Sequence, residues 1–296
     1  MILEYRIDER ADSVSVRSFL KRHGLSTHLW RRLKHQGSLF INGEQVFRAT
    51  LATLHAGDLI RCEIPEDSAS EPQNIPIDIR YEDEHLLIVN KPAHMLVHPI
   101  AKEQYDTLAN AVTYYYETKK EPCVFHPTHR LDRNTTGLVL IAKQPHIQAL
   151  LSGKDGPCFH RTYLAIAQGH FAEKEGEIAL PLRRKPTSFI EQETHPDGKP
   201  AVTRYRILAE AKEGSLVELR PITGRTHQLR VHLAAVGHPI IGDDLYGEKS
   251  PLIDRQCLHA FLLNLIHPVM HEPMTVEAPP PEDFLSVLRL LQIPFP

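Results

Sequence analysis

The chain has 296 residues, 42% of them hydrophobic, enough for one large domain or for a large and a small one. It is charged from Glu4 onward and no apolar run approaches the roughly 18 residues a bilayer span needs, so neither a secreted nor a membrane-embedded protein is expected. Four scattered cysteines without a CxxC pair argue against a disulfide framework and for a reducing cytoplasm, and a net charge of −3 excludes no anionic partner.

That charge is unevenly placed. Residues 1 to 63 hold ten Lys or Arg against seven Asp or Glu, and residues 13 to 43 contain no acid at all while carrying Arg17, Lys21, Arg22, Arg31, Arg32 and Lys34. SVRSFLKRHG reads as a short helix stopped by Gly24. THLWRRLKHQG reads as a second, with Thr27 as N-cap, Leu29, Trp30 and Leu33 inward and Gly37 as the stop. SLFINGEQV then reads as a hairpin about Asn42-Gly43, and TLHAGDLIRCEI as a turn and a strand. A basic helix pair followed by such a hairpin resembles the S4 RNA-binding domain over about the first sixty residues. A basic strip on one helical face suits phosphates, a contact that depends on salt rather than on sequence.

Residues 65 to 78, PEDSASEPQNIPID, are rich in Pro, Ser and acid and read as a linker, so the expected organisation is a small α+β domain over 1–64, the linker over 65–78 and a large domain over 79–296. In the large domain strands are expected at Leu86 to Val89, 137–143, 162–169, 202–210, 215–221 and 258–268, the fourth and fifth as an antiparallel pair. Helices are expected at 107–117, 145–151, 226–237 and 281–291. The third is capped by Thr226, striped by Leu229, Leu233 and Val236 and ended by Gly237, and the last opens on Pro281 and two acids. Short strands with few helices imply an α+β fold with a mainly antiparallel sheet.

One stretch differs in kind. HPTHRLDRNTTG, residues 126 to 137, sets Asp132 among His129, Arg130 and Arg133 ahead of turn formers and a strand. Together with the tyrosine of HRTYLA and the helix of GRTHQLRVHLAAVGHPIIGD, it resembles the RluA-type RNA pseudouridine synthases from residue 79 to about 270. The resemblance implies that Asp132 is the essential aspartate, that Tyr163 stacks on the target base and that Arg230 pairs with the aspartate. It also implies that Arg130 occupies the gap left by a flipped base and that RNA contacts come from His129, Arg225, His227 and Gln228.

Such an enzyme isomerises uridine in place. The bond from N1 to C1′ breaks, the base turns, and C5 bonds to C1′, which calls for no metal or other cofactor. A carboxylate near C1′ can act as nucleophile, as electrostatic partner or as base toward C2′. A guanidinium beside a carboxylate fixes its direction, and a flat phenol ring gives the turning base a surface. Extruding the base costs a few kcal/mol, which an inserted side chain such as Arg130 would offset. The resemblance further implies a cytoplasmic monomer acting on RNA, ribosomal RNA before tRNA.

Three positions depart from the family pattern: Thr136 where Ser is frequent, His94 where Gly is common, and a Gly-rich SGKDGPCFH before Tyr163 in place of a basic run. Other chemistries are excluded or weakened. Pro127 and Pro268 interrupt the spaced histidines as metal pairs, neither GxxxxGK[ST] nor GxGxxG occurs, and Asp243-Asp244, the one carboxylate pair that could oppose Asp132 as in a glycosidase, reads as a turn. A non-catalytic RNA-binding protein on the same fold is the remaining alternative; the intact set of Asp132, Tyr163 and Arg230 argues against it.

Overall fold

Residues 2–8, 13–23, 25, 30, 33–35, 37–47, 52–63, 70–100, 103–121, 123–153 and 158–295 are described by the computed structural model. The chain divides into two units, Met1–Ser68 and Ala69–Pro296.

The first unit contains β1 (Ile2–Arg6), β2 (Val14–Ser15), α1 (Val16–Arg22), β3 (Ser38–Ile41), β4 (Glu44–Gln45), β5 (Thr53–Leu54) and β6 (Leu59–Glu63). Its main sheet has the order β1-β6-β3-β4. The hairpin turns where the sequence places it: Asn42 and Gly43 both have positive φ, 51° and 85°, as a two-residue hairpin loop requires. Ser15 caps α1 by accepting from the Ser18 amide at 3.3 Å, and Val16, Phe19 and Leu20 turn inward against Leu39, Leu54 and Ile60. Of the second expected helix, Thr27, Leu29, Arg31 and Arg32 lie outside the described residues; Trp30 and Leu33 are buried in the same core. Arg17, Lys21, Arg22 and Lys34 are exposed.

The second unit runs β7 (Asp78–Glu82), β8 (Leu86–Lys91), α2 (Leu108–Lys119), β9 (His126–Pro127), β10 (Thr136–Ala142), α3 (Pro145–Ser152), β11 (Phe159–Gln168), β12 (Glu175–Ile178), β13 (Leu182–Arg184), β14 (Gln192–Thr194), β15 (Thr203–Ala211), β16 (Gly214–Pro221), α4 (Gln228–Ala235), β17 (Leu258–Ile266), β18 (Pro273–Glu277) and α5 (Glu282–Leu290). One sheet has the order β12-β15-β16-β11-β17-β10-β8-β7, with β18 on β17 and β9 on β10. Among its described pairings only β10 with β17 is parallel. The fold is thus α+β with a mainly antiparallel, mixed sheet.

Both faces of β8 and β10 are covered, which is why they read as unbroken apolar runs. Leu87, Val89, Val139 and Ile141 pack with Leu108, Val112 and Tyr116 of α2, while Leu86, Ile88, Leu138 and Leu140 pack with Ile147 and Leu151 of α3. Gly137 makes the β10–β17 contact possible. It has φ of +112° opposite Ala260, and a Cβ there would lie 2.3 Å from the Ala260 carbonyl oxygen.

Several local readings change. Residues 71–77 of the expected linker belong to the second unit: the Asn110 amide group donates to Glu71 O at 2.8 Å, Gln73 N donates to Asn110 O at 3.2 Å, and Ile75 and Ile77 pack on the core. The alternation Ile75, Ile77, Ile79 was masked by its proline-rich setting. Thr226 does not cap α4. His227 is the N-cap, with no side-chain capping bond, and the Gln228 side chain accepts from Arg225 N instead. Val236 leaves the apolar stripe and is 40% exposed, because the helix has ended at Ala235. Pro281 is the N-cap of α5 rather than its first residue.

Candidate active site

Asp132 lies in the loop between β9 and β10, turned by a Thr135 N to Asp132 O bond of 3.1 Å. Apolar Leu131, 5% exposed, anchors the loop in the core and so orients its neighbour outward. Buried polar side chains then hold the loop one residue at a time. Lys91 Nζ, fully buried, donates to Arg133 O at 3.0 Å as well as to Pro92 O and Met95 O, and burial pushes its pKa down to about 7. Arg255 Nη1 donates to Asn134 O at 3.3 Å while its other nitrogens grip Asp283 at the start of α5. Gln256 donates to the Thr135 hydroxyl at 3.1 Å. Thr136 opens β10, with its Oγ1 2.8 Å from His259 Nδ1. His259 carries its proton on Nε2 toward Ala278 O, and burial lowers its pKa to about 4, so it is neutral and accepts from Thr136.

Arg230 projects from the first turn of α4 into this loop and is 6% exposed. Its Nη1 lies 3.3 Å from Asp132 Oδ2, whereas Nε and Nη2 bind both oxygens of Asp243 at 2.7 Å. Asp243, fully buried, also accepts from Leu245 N and Tyr246 N through Oδ1 at 3.1 and 3.2 Å. The turn reading of GDD is therefore right and incomplete: the same carboxylate that closes the turn locks the arginine by a two-point bond. His227 also enters the site. Its Nε2 is 3.9 Å from Asp132 Oδ1 and its Nδ1 is 2.7 Å from Tyr246 Oη. Burial lowers the pKa of His227, aided by the charges of Arg230 and Arg130 and opposed by Asp132 and Asp243, which favours a neutral imidazole.

Tyr163 comes from β11, at an irregularity in its pairing with β17, and is 5% exposed. Arg161 Nη1 donates to its hydroxyl at 3.3 Å, and the guanidinium carbon sits 6.0 Å over the ring. Burial raises the phenol's pKa, and the negative charge of Asp132 adds to this, so the hydroxyl keeps its proton. The chain therefore brings Asp132, Tyr163 and Arg230 together from a loop, a strand and a helix about a hundred residues apart.

The candidate RNA contacts separate into two groups. Arg130 and Arg225 are exposed, Arg225 with Nε on Pro200 O at 3.0 Å. His129 is not available as an exposed contact: its Nε2 accepts from Leu140 N at 3.2 Å, its ring packs on Phe159, and burial drives its pKa well down, so it is a neutral brace for β10. Gln228 is likewise buried and structural, bonded to Thr223, Arg225, Val202 and Thr203. His94 has φ of +61°, the conformation a glycine adopts freely, which accounts for the glycine usual there. Part of the departing segment before Tyr163, residues 154–157, lies outside the described residues. Lys91, Tyr246 and Arg255 escaped sequence reasoning, and Asp243 was read as a turn former alone; a lysine directly before a proline at a strand end, and two acids in one turn, were the available signals.

A family model described as RNA pseudouridylate synthase matches residues 85–235, which include Asp132, Tyr163 and Arg230. The chain is 38% identical over 294 residues to the uncharacterised RNA pseudouridine synthase YhcT of Bacillus subtilis (strain 168), covering 97% of this chain and 96% of that protein. It is 39% identical over 251 residues to ribosomal large subunit pseudouridine synthase D of Escherichia coli (strain K12), covering 80% of this chain and 77% of that protein. Among solved structures, human RNA pseudouridylate synthase domain containing 4 superposes with a TM-score of 0.58 at 25% identity, over 74% of this chain and 94% of that one. A fold of this kind, a carboxylate held by a buried guanidinium and this agreement along nearly the whole chain lead to one conclusion: the chain belongs to the RluA-type RNA pseudouridine synthases.

Proposed function

We propose that the protein isomerises uridine to pseudouridine in ribosomal RNA, with Asp132 as the carboxylate that acts at C1′ or C2′ of the flipped nucleotide. The observation that carries this reading is the Asp132–Arg230–Asp243 arrangement, in which a buried, doubly held guanidinium leaves one nitrogen for the half-buried Asp132 carboxylate. In the reaction the N1–C1′ bond breaks, the C5–C1′ bond forms, C5 loses a proton and N1 gains one, so neither water nor a redox partner is consumed. Tyr163 supplies the surface on which the base turns; Arg161, over its ring, is the neighbour that an incoming base replaces. Arg130, exposed two residues before Asp132, fills the space the base leaves, and Arg225 meets the phosphate backbone. The first unit acts as an S4-like RNA-binding domain through Arg17, Lys21, Arg22 and Lys34, and through Arg31 and Arg32 of the same acid-free window.

Ribosomal RNA is favoured because relatives similar along most of the chain are ribosomal large subunit pseudouridine synthases. Mapping pseudouridine in RNA from cells with and without the gene tests this. Loss of specific sites in large-subunit RNA is expected; losses confined to tRNA would replace the substrate, and no lost site in any RNA would overturn the catalytic reading.

A further inference from the structure

The turn after α4 carries a second residue aimed at the site. Tyr246 Oη accepts a hydrogen bond from Gln192 N at 2.8 Å and lies 2.7 Å from His227 Nδ1. Among the described residues Nδ1 is the acceptor in reach of the phenol hydrogen, and directing that hydrogen to it makes Nδ1 an acceptor and puts the imidazole proton on Nε2. Nε2 is the atom 3.9 Å from Asp132 Oδ1, on the oxygen that Arg230 does not contact. His227 also occupies a costly backbone position. It has φ of +54° and ψ of 17°, left-handed for a non-glycine residue, and as N-cap of α4 it makes no capping bond with its side chain.

From this geometry we infer that His227 is a positioning residue for the reaction, a neutral Nε2–H donor whose tautomer Tyr246 sets and which, standing 3.9 Å from Asp132 Oδ1, closes to a hydrogen bond on that oxygen in the RNA complex and so orients the carboxylate together with Arg230. This rests on Asp132 being the reacting carboxylate, and it gives His227 a role other than contacting RNA. The groups facing the imidazole are Asp132, Arg130, Arg230, Asp243 and Tyr246, so two cations and two anions surround it and a charged imidazolium is not called for. The Tyr246 ring lies edge-on to His227 and beneath Arg230, whose guanidinium carbon is 5.1 Å from its centroid, so both donors toward Asp132 are aligned by one turn.

The test uses the full-length protein and an RNA fragment that the wild type modifies, with single-turnover rates at saturating enzyme and a separately measured Kd. Asn tolerates the left-handed backbone but its amide is too short to reach Asp132, whereas Gln places an Nε2 donor where the imidazole has one. His227→Asn should lower the saturating rate about tenfold or more with Kd within about twofold, His227→Gln should recover most of that loss, and Tyr246→Phe should give an intermediate rate. A raised Kd with an unchanged rate would overturn the inference in favour of an RNA contact. Equal rates for Asn and Gln would overturn it in favour of a purely structural role. Where His227→Asn does not fold, the comparison of Gln and Tyr246→Phe with the wild type decides the question in the same way. A wild type that makes no pseudouridine would instead refute the proposed function itself.

Discussion

Replacing Asp243 by Ala removes four hydrogen-bond acceptances at once: Arg230 Nε and Nη2 at 2.7 Å each, Leu245 N at 3.1 Å and Tyr246 N at 3.2 Å. The Arg230 side chain is 7% exposed and would keep the 3.3 Å contact to Asp132 and the Tyr246 ring as its partners, so a largely uncompensated charge would remain in the interior. Breaking a buried pair from one side costs about 3–5 kcal/mol. For a unit of this size each kcal/mol moves Tm by roughly 2–4 °C, so a fall of roughly 6–20 °C is expected in the transition of the second unit. Thermal unfolding followed by circular dichroism measures it, and activity at a temperature where both proteins are folded should also drop, because Arg230 is no longer held on two sides. A Tm within about 2 °C of the wild type would refute the reasoning, since it would mean that Arg230 finds equal compensation elsewhere.

Further outcomes follow from other parts of the fold. Gly137→Ala sets a Cβ 2.3 Å from the Ala260 carbonyl at φ +112° and should cost more than about 4 kcal/mol, whereas Gly43→Ala, at φ +85° with open space around it, should cost about 1 kcal/mol; urea unfolding of the two distinguishes crowding from backbone strain. Glu82 is held at a pKa of about 2: burial opposes its ionisation, but hydrogen bonds from Lys119, Tyr115 and Lys143 outweigh that. A depressed carboxylate contributes stability above its unfolded pKa and loses it as pH falls toward the folded one, so the advantage of wild type over Glu82→Gln should be full near pH 6 and gone near pH 2, read from urea midpoints. Replacing Arg17, Lys21, Arg22 and Lys34 by Ser should weaken RNA binding and flatten its dependence on salt; an unchanged slope would remove the first unit from the interface.

Much of this was legible in the chain because local signals agreed with the global fold. Asn42-Gly43 specified a hairpin that formed, the apolar runs of β8 and β10 marked strands buried on both faces, and Gly237 ended the helix that carries Arg230. Asp132, Tyr163 and Arg230 could be named together since their motifs are long. What escaped was contact between distant polar groups. Spacing does not reveal that Lys91 and Arg255 would reach across the fold to two consecutive carbonyls of the Asp132 loop, nor that Asp243 would bind an arginine thirteen residues earlier. The same reason explains His129 and Gln228, polar residues inside polar motifs whose side chains are spent on their own backbone surroundings. The helix start was misplaced because the usual capping position holds His227, a residue with poor capping chemistry that faces Asp132 instead.

Asp132 bears the whole account, and Asp132→Asn tests it with the least disturbance, since the amide keeps the size of the carboxylate and an oxygen for Arg230. Release of tritium from C5-labelled uridine in target RNA, measured alongside RNA affinity, is the direct reading. No release above background is expected, with Kd within about threefold of wild type, because the carboxylate serves the chemistry while phosphate contacts supply affinity. Release by the Asn variant at the wild-type rate would contradict that role of the carboxylate.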